Sequence, residues 1–66
     1  MTIKIIIRDN EYLLEPSKNL SVKRAMVQLN ILPESYLAIR DGELLTEHEP
    51  LRNGDTIKLI PVISGG

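Results

Sequence analysis

The sequence predicts a small α+β domain in which one main helix packs on one face of a sheet of about five strands. With 66 residues the chain has the length of a single domain, which we assign to residues 1–66. Two strand patterns precede one helix pattern, and three strand patterns follow it. The composition, 42% apolar and 26% charged, is typical of globular proteins and not of disordered ones.

The first two strands are predicted to form a hairpin. Residues 2–8 are dominated by β-branched side chains, and isoleucines alternate with charged residues, which is typical of a strand. Asp9-Asn10 is the expected tight turn, because both residue types tolerate left-handed backbone angles. Residues 11–15 then form the returning strand, and a loop at residues 16–19 leads to the helix.

The helix is predicted to begin after Ser21, whose hydroxyl can accept a hydrogen bond from an amide of the first turn. Leu20, just before this cap, can pack back on the helix as a hydrophobic staple. Asn30 is predicted to end the helix, and Pro33 prevents its continuation. One apolar stripe with helical spacing faces the sheet, formed by Val22, Ala25, Met26 and Leu29.

The residues after the helix predict a second hairpin and a final strand. Residues 36–40 and 43–45 are strands, because the Asp-Gly pair between them is a strong turn signal. A second turn signal at residues 53–55 precedes the last strand, residues 56–62. Pro61 cannot donate a hydrogen bond to a neighbouring strand, so we expect strand pairing to stop there.

Charge and cysteine content exclude several classes of protein. The net charge is −1, so no strong field attracts nucleic acid or an anionic membrane. The absence of cysteine excludes a disulfide framework, a thiolate metal site and a cysteine nucleophile. The apolar run of residues 5–7 is flanked by Lys4 and Arg8 and is too short for a secretory leader or a membrane span. We therefore expect a cytoplasmic protein with no direct nucleic-acid or membrane partner.

No pattern in the sequence predicts an enzyme active site. His48 lies between Glu47 and Glu49, but one short loop cannot supply a closed coordination sphere, so no metal site is expected. No phosphate-binding glycine loop is present, and Asp41 and Asp55 lie in turns, where they have local roles. We expect no catalytic residues and no bound cofactor.

The order of elements, the chain length and the terminal Gly65-Gly66 together resemble the β-grasp, or ubiquitin-like, fold. Within that fold the chain is similar to the ThiS/MoaD-like family of prokaryotic sulfur carriers. Residues 51–57, LRNGDTI, match the family's turn into the last strand, and residues 60–66, IPVISGG, match its C-terminal segment. The resemblance covers the whole chain. It implies a mixed sheet whose last strand is central and parallel to the first, with residues 63–66 as a flexible tail.

The resemblance also implies a reacting group. In this family an adenylating enzyme of the ubiquitin-activating type uses ATP and Mg²⁺ to activate the terminal carboxylate, and a persulfide sulfur then displaces AMP. Carried over, the group converted to a thiocarboxylate is the carboxylate of Gly66, and we expect no protease to be needed to expose it. The segment that threads into the activating enzyme is Ile63, Ser64, Gly65 and Gly66. The implied partners are that enzyme, a sulfur donor such as a cysteine desulfurase or rhodanese, and a sulfur-using biosynthetic enzyme.

The phase of the strands predicts where a partner docks. If the isoleucines at odd positions of the first strand face the helix, as do Ile57 and Leu59, the alternate residues face outward. Exposed aliphatic residues rimmed by charge are typical of protein interfaces. The predicted partner-binding patch is Ile6, Leu44, Lys58, Ile60 and Val62.

Subtype and function class leave alternatives open. The length suits carriers of thiamine biosynthesis and tRNA thiolation better than the small subunit of molybdopterin synthase. Short segments resemble the tRNA-thiolation carriers most: residues 33–34, 38–40, 43–46 and 63–66. One alternative is a covalent protein modifier, in which Gly66 forms an isopeptide bond to a lysine. Another is a non-covalent β-grasp interaction domain, which would not need the tail.

Overall fold

The computed structural model describes residues 2–62, and the predicted tail lies outside the described residues. Five strands and one α-helix are formed, together with a short 3-10 helix at Pro33–Ser35. In chain order they are β1 (Ile3–Ile7), β2 (Asn10–Leu14), α1 (Val22–Gln28), β3 (Tyr36–Arg40), β4 (Glu43–Leu45) and β5 (Thr56–Pro61).

The five strands make one mixed sheet in the order β2-β1-β5-β3-β4. β1 and β5 are parallel neighbours, and Ile5 lies opposite Ile57. The other three neighbouring pairs are antiparallel. The predicted fold class is therefore confirmed, including the central last strand that runs parallel to the first.

The core lies between α1 and one face of this sheet. All five residues predicted to face the helix are buried, namely Ile3, Ile5, Ile7, Ile57 and Leu59. The helix contributes Val22, Ala25 and Met26, while Leu29 is partly buried against the same cluster. The odd positions of β1 and β5 thus meet the apolar stripe of the helix, because β-strand side chains alternate between faces.

Helix α1 begins as predicted. The amide of Arg24 donates to the hydroxyl of Ser21, which has an extended backbone. The two preceding amides have partners from elsewhere in the chain. Val22 donates to the carbonyl oxygen of Glu49 at 3.1 Å, and Lys23 donates to that of Glu47 at 3.0 Å. The connection between β4 and β5 therefore closes over the start of the helix and satisfies amides that have no partner within it.

Helix α1 also ends as predicted. Asn30 has a left-handed backbone, with φ of 61°. The amide of Ile31 donates to the carbonyl oxygen of Met26 at 2.8 Å, and the amide of Asn30 donates to that of Val27 at 3.1 Å. These two bonds form a Schellman motif, which satisfies carbonyl groups of the last turn.

The predicted first turn was wrong by one residue. Ile7 pairs with Asn10, so the turn consists of Arg8 and Asp9, and Arg8 has a positive φ of 54°. A turn at residues 9–10 would have placed Pro16 opposite Ile3, where proline cannot donate to the ladder. The observed register instead places Leu14 opposite Ile3, next to the core.

Strand β5 ends at Pro61, as predicted, but the proline is itself paired and one further backbone bond follows. Pro61 lies opposite Tyr36, and the amide of Val62 donates to the carbonyl oxygen of Ser35 at 2.8 Å. Backbone amides of a strand alternate between its two neighbours. Since the amide of Val62 points to the β3 side, the nitrogen of Pro61 points to the β1 side. There the β1 ladder has already ended, opposite Leu59, so the missing donor removes no ladder bond.

Candidate functional site

The face of the sheet opposite α1 carries a continuous row of side chains. Ile6 lies beside Glu11 on one strand and beside Lys58 on the other. Lys58 in turn lies beside Ile39, and Ile39 lies beside Leu44. This row crosses all five strands in the order β2-β1-β5-β3-β4, so it spans the full width of the sheet.

A second group of apolar residues lies on the same face, toward the end of β5. Ile60 is 38% exposed and lies opposite Leu37, which is 44% exposed. Val62 follows immediately after β5 and is 42% exposed, while Leu44 on the edge strand is 64% exposed. We use the term open-face patch for Ile6, Leu37, Ile39, Leu44, Lys58, Ile60 and Val62.

The structure places all five residues of the predicted patch in or beside this surface and adds Leu37 and Ile39 to it. Sequence reasoning missed these two because hydrophobicity alone would assign them to the core. The core takes the other phase of β3, and Ala38 is the residue that is only 2% exposed. The sequence argues against this phase, because the charged Arg40 lies on the Ala38 side and its partners Glu49 and Asp55 are distant in sequence.

This face carries few charged residues, and only some of them form ion pairs. Lys4 and Glu11 approach each other at 4.0 Å between Nζ and Oε1, which is a weak, exposed ion pair. Lys58 is exposed, and within residues 2–62 it makes no ion pair. The apolar part of the patch therefore surrounds an ammonium group that is available to a partner.

Arg40 on β3 holds the connection between β4 and β5. Its Nη2 contacts the carboxylate of Glu49 at 3.0 Å, and its Nη1 contacts that of Asp55 at 3.1 Å. The pKa of Arg40 is raised above its ordinary value, chiefly by the hydrogen bond to Glu49 and also by Asp55, against an opposing effect of burial. Asp55 has the local turn role predicted for it as well, since it accepts from the amide of Arg52 at 2.8 Å.

Other candidate sites have little support in the described part of the chain. His48 is exposed and lies 3.6 Å from the carboxylate of Glu47. Within residues 2–62 no group of three or more histidine, cysteine, aspartate or glutamate side chains is placed to hold a metal ion. Over the same residues no helix is both long enough and apolar enough to cross a membrane.

The predicted reacting segment, Ile63, Ser64, Gly65 and Gly66, lies outside the described residues. Its attachment point is described, because β5 ends at Pro61 and Val62 remains bonded to Ser35. The chain thus leaves the described structure beside Ile60 and Val62, at one end of the open-face patch.

Comparison with known proteins assigns the family. The sequence model of the ThiS family matches residues 4–66, which is nearly the whole chain. The chain belongs to the ThiS family. It is also 35% identical over 52 residues to the sulfur carrier protein TtuB of Thermus thermophilus, a match that covers 79% of this chain and 80% of that protein. This ThiS-family chain is thus a small carrier protein and not an enzyme, as predicted.

Solved structures show the same fold in more distant proteins. SAMP1 from Haloferax volcanii superposes over the full length of both chains, with a TM-score of 0.73 at 17% sequence identity. A ubiquitin of Caldiarchaeum subterraneum superposes with a TM-score of 0.71 at 23% identity, covering 100% of this ThiS-family chain and 98% of that chain. At these identities the likeness concerns the β-grasp fold alone.

Proposed function

We propose that this ThiS-family chain is a sulfur carrier whose reacting group is the carboxylate of Gly66. One observation carries the proposal: Gly65-Gly66 lies a short distance in sequence after the central strand of a β-grasp sheet, in a family match that extends through residue 66. The 35% identity to a sulfur carrier protein supports the same function. The chain then acts as a co-substrate of other enzymes.

The chemistry explains why an activating enzyme is needed. A carboxylate is a poor electrophile, so sulfur cannot attack Gly66 until an oxygen of the group has become part of a good leaving group. An adenylating enzyme of the ubiquitin-activating type supplies this with ATP and Mg²⁺, forming an acyl-adenylate and releasing pyrophosphate. A persulfide on a donor such as a cysteine desulfurase or rhodanese then bonds to the carbonyl carbon, and AMP leaves. A thiol must finally cleave the remaining sulfur–sulfur bond to release the thiocarboxylate.

The terminal residue types suit this chemistry. Glycine has no Cβ, so Gly65-Gly66 can pass through a narrow channel to a nucleotide site in backbone conformations closed to other residues. A side chain at Gly66 would crowd the carbonyl carbon that the phosphate and the sulfur must both reach. The same tail has to enter the site of the activating enzyme and later that of the sulfur-using enzyme.

The open-face patch is the proposed docking surface for the activating enzyme. Ile60 and Val62 belong to the patch and also lie immediately before the tail. A protein that covers these two residues is therefore within a few residues' reach of Gly66, since an extended chain spans roughly 3.3–3.6 Å per residue. Partly exposed aliphatic side chains with charge among them are typical of such interfaces.

The adenylation step is tested by ATP–pyrophosphate exchange with the adenylating enzyme encoded by the same genome. We expect the full chain to support exchange of labelled pyrophosphate into ATP, because the acyl-adenylate forms reversibly at Gly66. Two variants should support none: deletion of Gly65-Gly66, and extension of the chain by one alanine after Gly66. Lys18→Ala, in an exposed loop, is the matched control and should behave as the parent chain. Exchange that persists with the extended chain would place the reacting group elsewhere.

For the final sulfur acceptor, thiouridine in tRNA is proposed ahead of the thiamine thiazole, and molybdopterin is the least favoured. The support is the resemblance of four short segments to tRNA-thiolation carriers, at residues 33–34, 38–40, 43–46 and 63–66. Deletion of the gene should then remove 2-thiouridine from tRNA while growth without thiamine continues. A thiamine requirement with normal tRNA thiolation would reverse the order.

A further inference from the structure

Lys58 occupies the middle of an apolar surface. Ile6 flanks it on β1, Ile39 flanks it on β3, and Ile60 is the next residue of β5 on the same face. In the free protein Lys58 is exposed, so water solvates its ammonium group. Any partner that covers the apolar residues must also remove this water.

The other two cations within the strands have partners. Lys4 approaches Glu11 at 4.0 Å, and Arg40, on the opposite side of β3, contacts Glu49 and Asp55. Lys58 has no ion-pair partner among residues 2–62. The strand residues of the open face therefore carry an unpaired positive charge, although the whole chain has a net charge of −1.

We propose, on the basis of the proposed function, that Lys58 determines which protein can dock on the open-face patch. The occupant is the adenylating enzyme, and it presents a carboxylate opposite Lys58, within an apolar surface that covers Ile6, Ile39 and Ile60. Charge complementarity favours this occupant. Burying an ammonium group without an opposite charge opposes binding, because the group loses its interactions with water. A carboxylate at that place replaces those interactions with an ion pair.

The ion pair between Lys58 and the proposed carboxylate of the enzyme affects specificity because Lys58 lies among apolar residues. Apolar side chains on both neighbouring strands exclude water from the pair, and an ion pair is stronger where water is excluded. A surface with a neutral or basic residue at that place leaves the ammonium unpaired or repelled, so it is rejected even if its shape fits. Apolar contact thus holds the activating enzyme, and Lys58 distinguishes it from other proteins with apolar surfaces.

The proposal is tested by titrating variants of the full chain into the adenylating enzyme and measuring the dissociation constant. Lys58→Met keeps the aliphatic stem and removes the charge, and we expect binding at least about tenfold weaker, because the enzyme's carboxylate is left unpaired. Lys58→Glu should bind more weakly still, and Lys58→Arg should restore most of the affinity. Lys23→Glu reverses an exposed lysine on the helix side and should leave the affinity unchanged.

A second measurement locates the carboxylate directly. Carbodiimide joins an amine and a carboxylate in an amide bond only when the two groups are in contact. In the complex we expect a cross-linked peptide that joins Lys58 to an aspartate or glutamate of the enzyme, and no cross-link at Lys23. Thermal unfolding of each variant shows that altered binding is not caused by loss of the fold.

The outcomes separate this inference from the proposed function. We expect Ile60→Asp to bind weakly because it places a charge in the apolar surface. If Ile60→Asp is weak while Lys58→Met binds as tightly as the parent chain and no Lys58 cross-link forms, the inference is overturned and the docking surface stands. If neither variant alters binding, the open-face patch is not the docking surface, and the inference also fails. Failure of ATP–pyrophosphate exchange by the parent chain would instead overturn the proposed function.

Discussion

At the scale of single residues, Arg40 links segments that are distant in sequence. Its guanidinium contacts Glu49 and Asp55 through different nitrogens, and Nη1 also lies 3.5 Å from the carbonyl oxygen of Pro50. A planar group with several fixed donors can hold these partners at once, which the compact ammonium of lysine cannot do. The carbonyl oxygens of the same connection cap helix α1, so Arg40 supports the start of the helix indirectly.

Arg40→Ala should lower the free energy of unfolding by about 1–2 kcal/mol, because two partly buried carboxylates lose their partner. The free energy of unfolding of Arg40→Lys should lie between those of Arg40→Ala and the parent chain, since lysine keeps the charge but lacks the planar group with several fixed donors. Urea denaturation measures both. Arg24→Ala, an exposed arginine of α1, is the matched control and should change stability by less than about 0.5 kcal/mol. An Arg40→Ala effect no larger than the control would show that the network contributes nothing.

At the scale of elements, helix α1 has seven residues and is too short to be stable alone. Its ends are therefore important to the fold. The first turn depends on Ser21 and on the connection between β4 and β5, and the last turn depends on the left-handed backbone of Asn30. Both ends were predictable from sequence because Ser21 and Asn30 act on residues within five positions of themselves.

Asn30→Ala should lower the free energy of unfolding by about 1 kcal/mol, because alanine is strained at positive φ. Asn30→Gly should leave stability unchanged or raise it, since glycine adopts that backbone without strain. Chemical denaturation of the pair provides the test, with Gln28→Ala in the exposed last turn as control. Equal stability of the alanine and glycine variants would contradict the role given to the backbone of Asn30.

Features that depend on distant partners were not predictable in the same way. The turn at Arg8 and Asp9 follows from a register that places Leu14 opposite Ile3, next to the core. This register is not encoded by the turn residues alone. The inward phase of β3 places Arg40 on the Ala38 side, where it pairs with Glu49 and Asp55, and local hydrophobicity does not indicate these partners.

At the scale of the whole molecule, the sheet separates the residues that form the core from those proposed for recognition. One face buries Ile57 and Leu59 against α1, and the alternate residues Lys58 and Ile60 of the same strand face outward. Because strand side chains alternate, the proposed docking surface can vary without altering the core. Four of the seven open-face residues, Ile6, Lys58, Ile60 and Val62, followed from the clear alternation of β1 and β5. Leu44 on β4 was also predicted, while Leu37 and Ile39 on β3 were not.

The central strand also connects the two parts of the chain that have roles in the proposed function. β5 carries Lys58 and Ile60 of the open-face patch and then leads to the segment that ends in Gly65-Gly66. Part of the patch and the proposed reacting group thus lie in one continuous stretch of chain. If the proposal is correct, this arrangement lets a partner bind the folded domain and receive the chain end in the same encounter.

The most direct test of the carrier function is the intact mass of the protein recovered from its own cells, or after incubation with cell extract, ATP and a sulfur donor. We expect a species heavier by the difference between one sulfur atom and one oxygen atom, formed on the parent chain and absent when Gly66 is deleted. A parent chain whose mass never changes under these conditions, while a partner still binds the open-face patch, would contradict the carrier function. The chain would then be a non-covalent interaction domain.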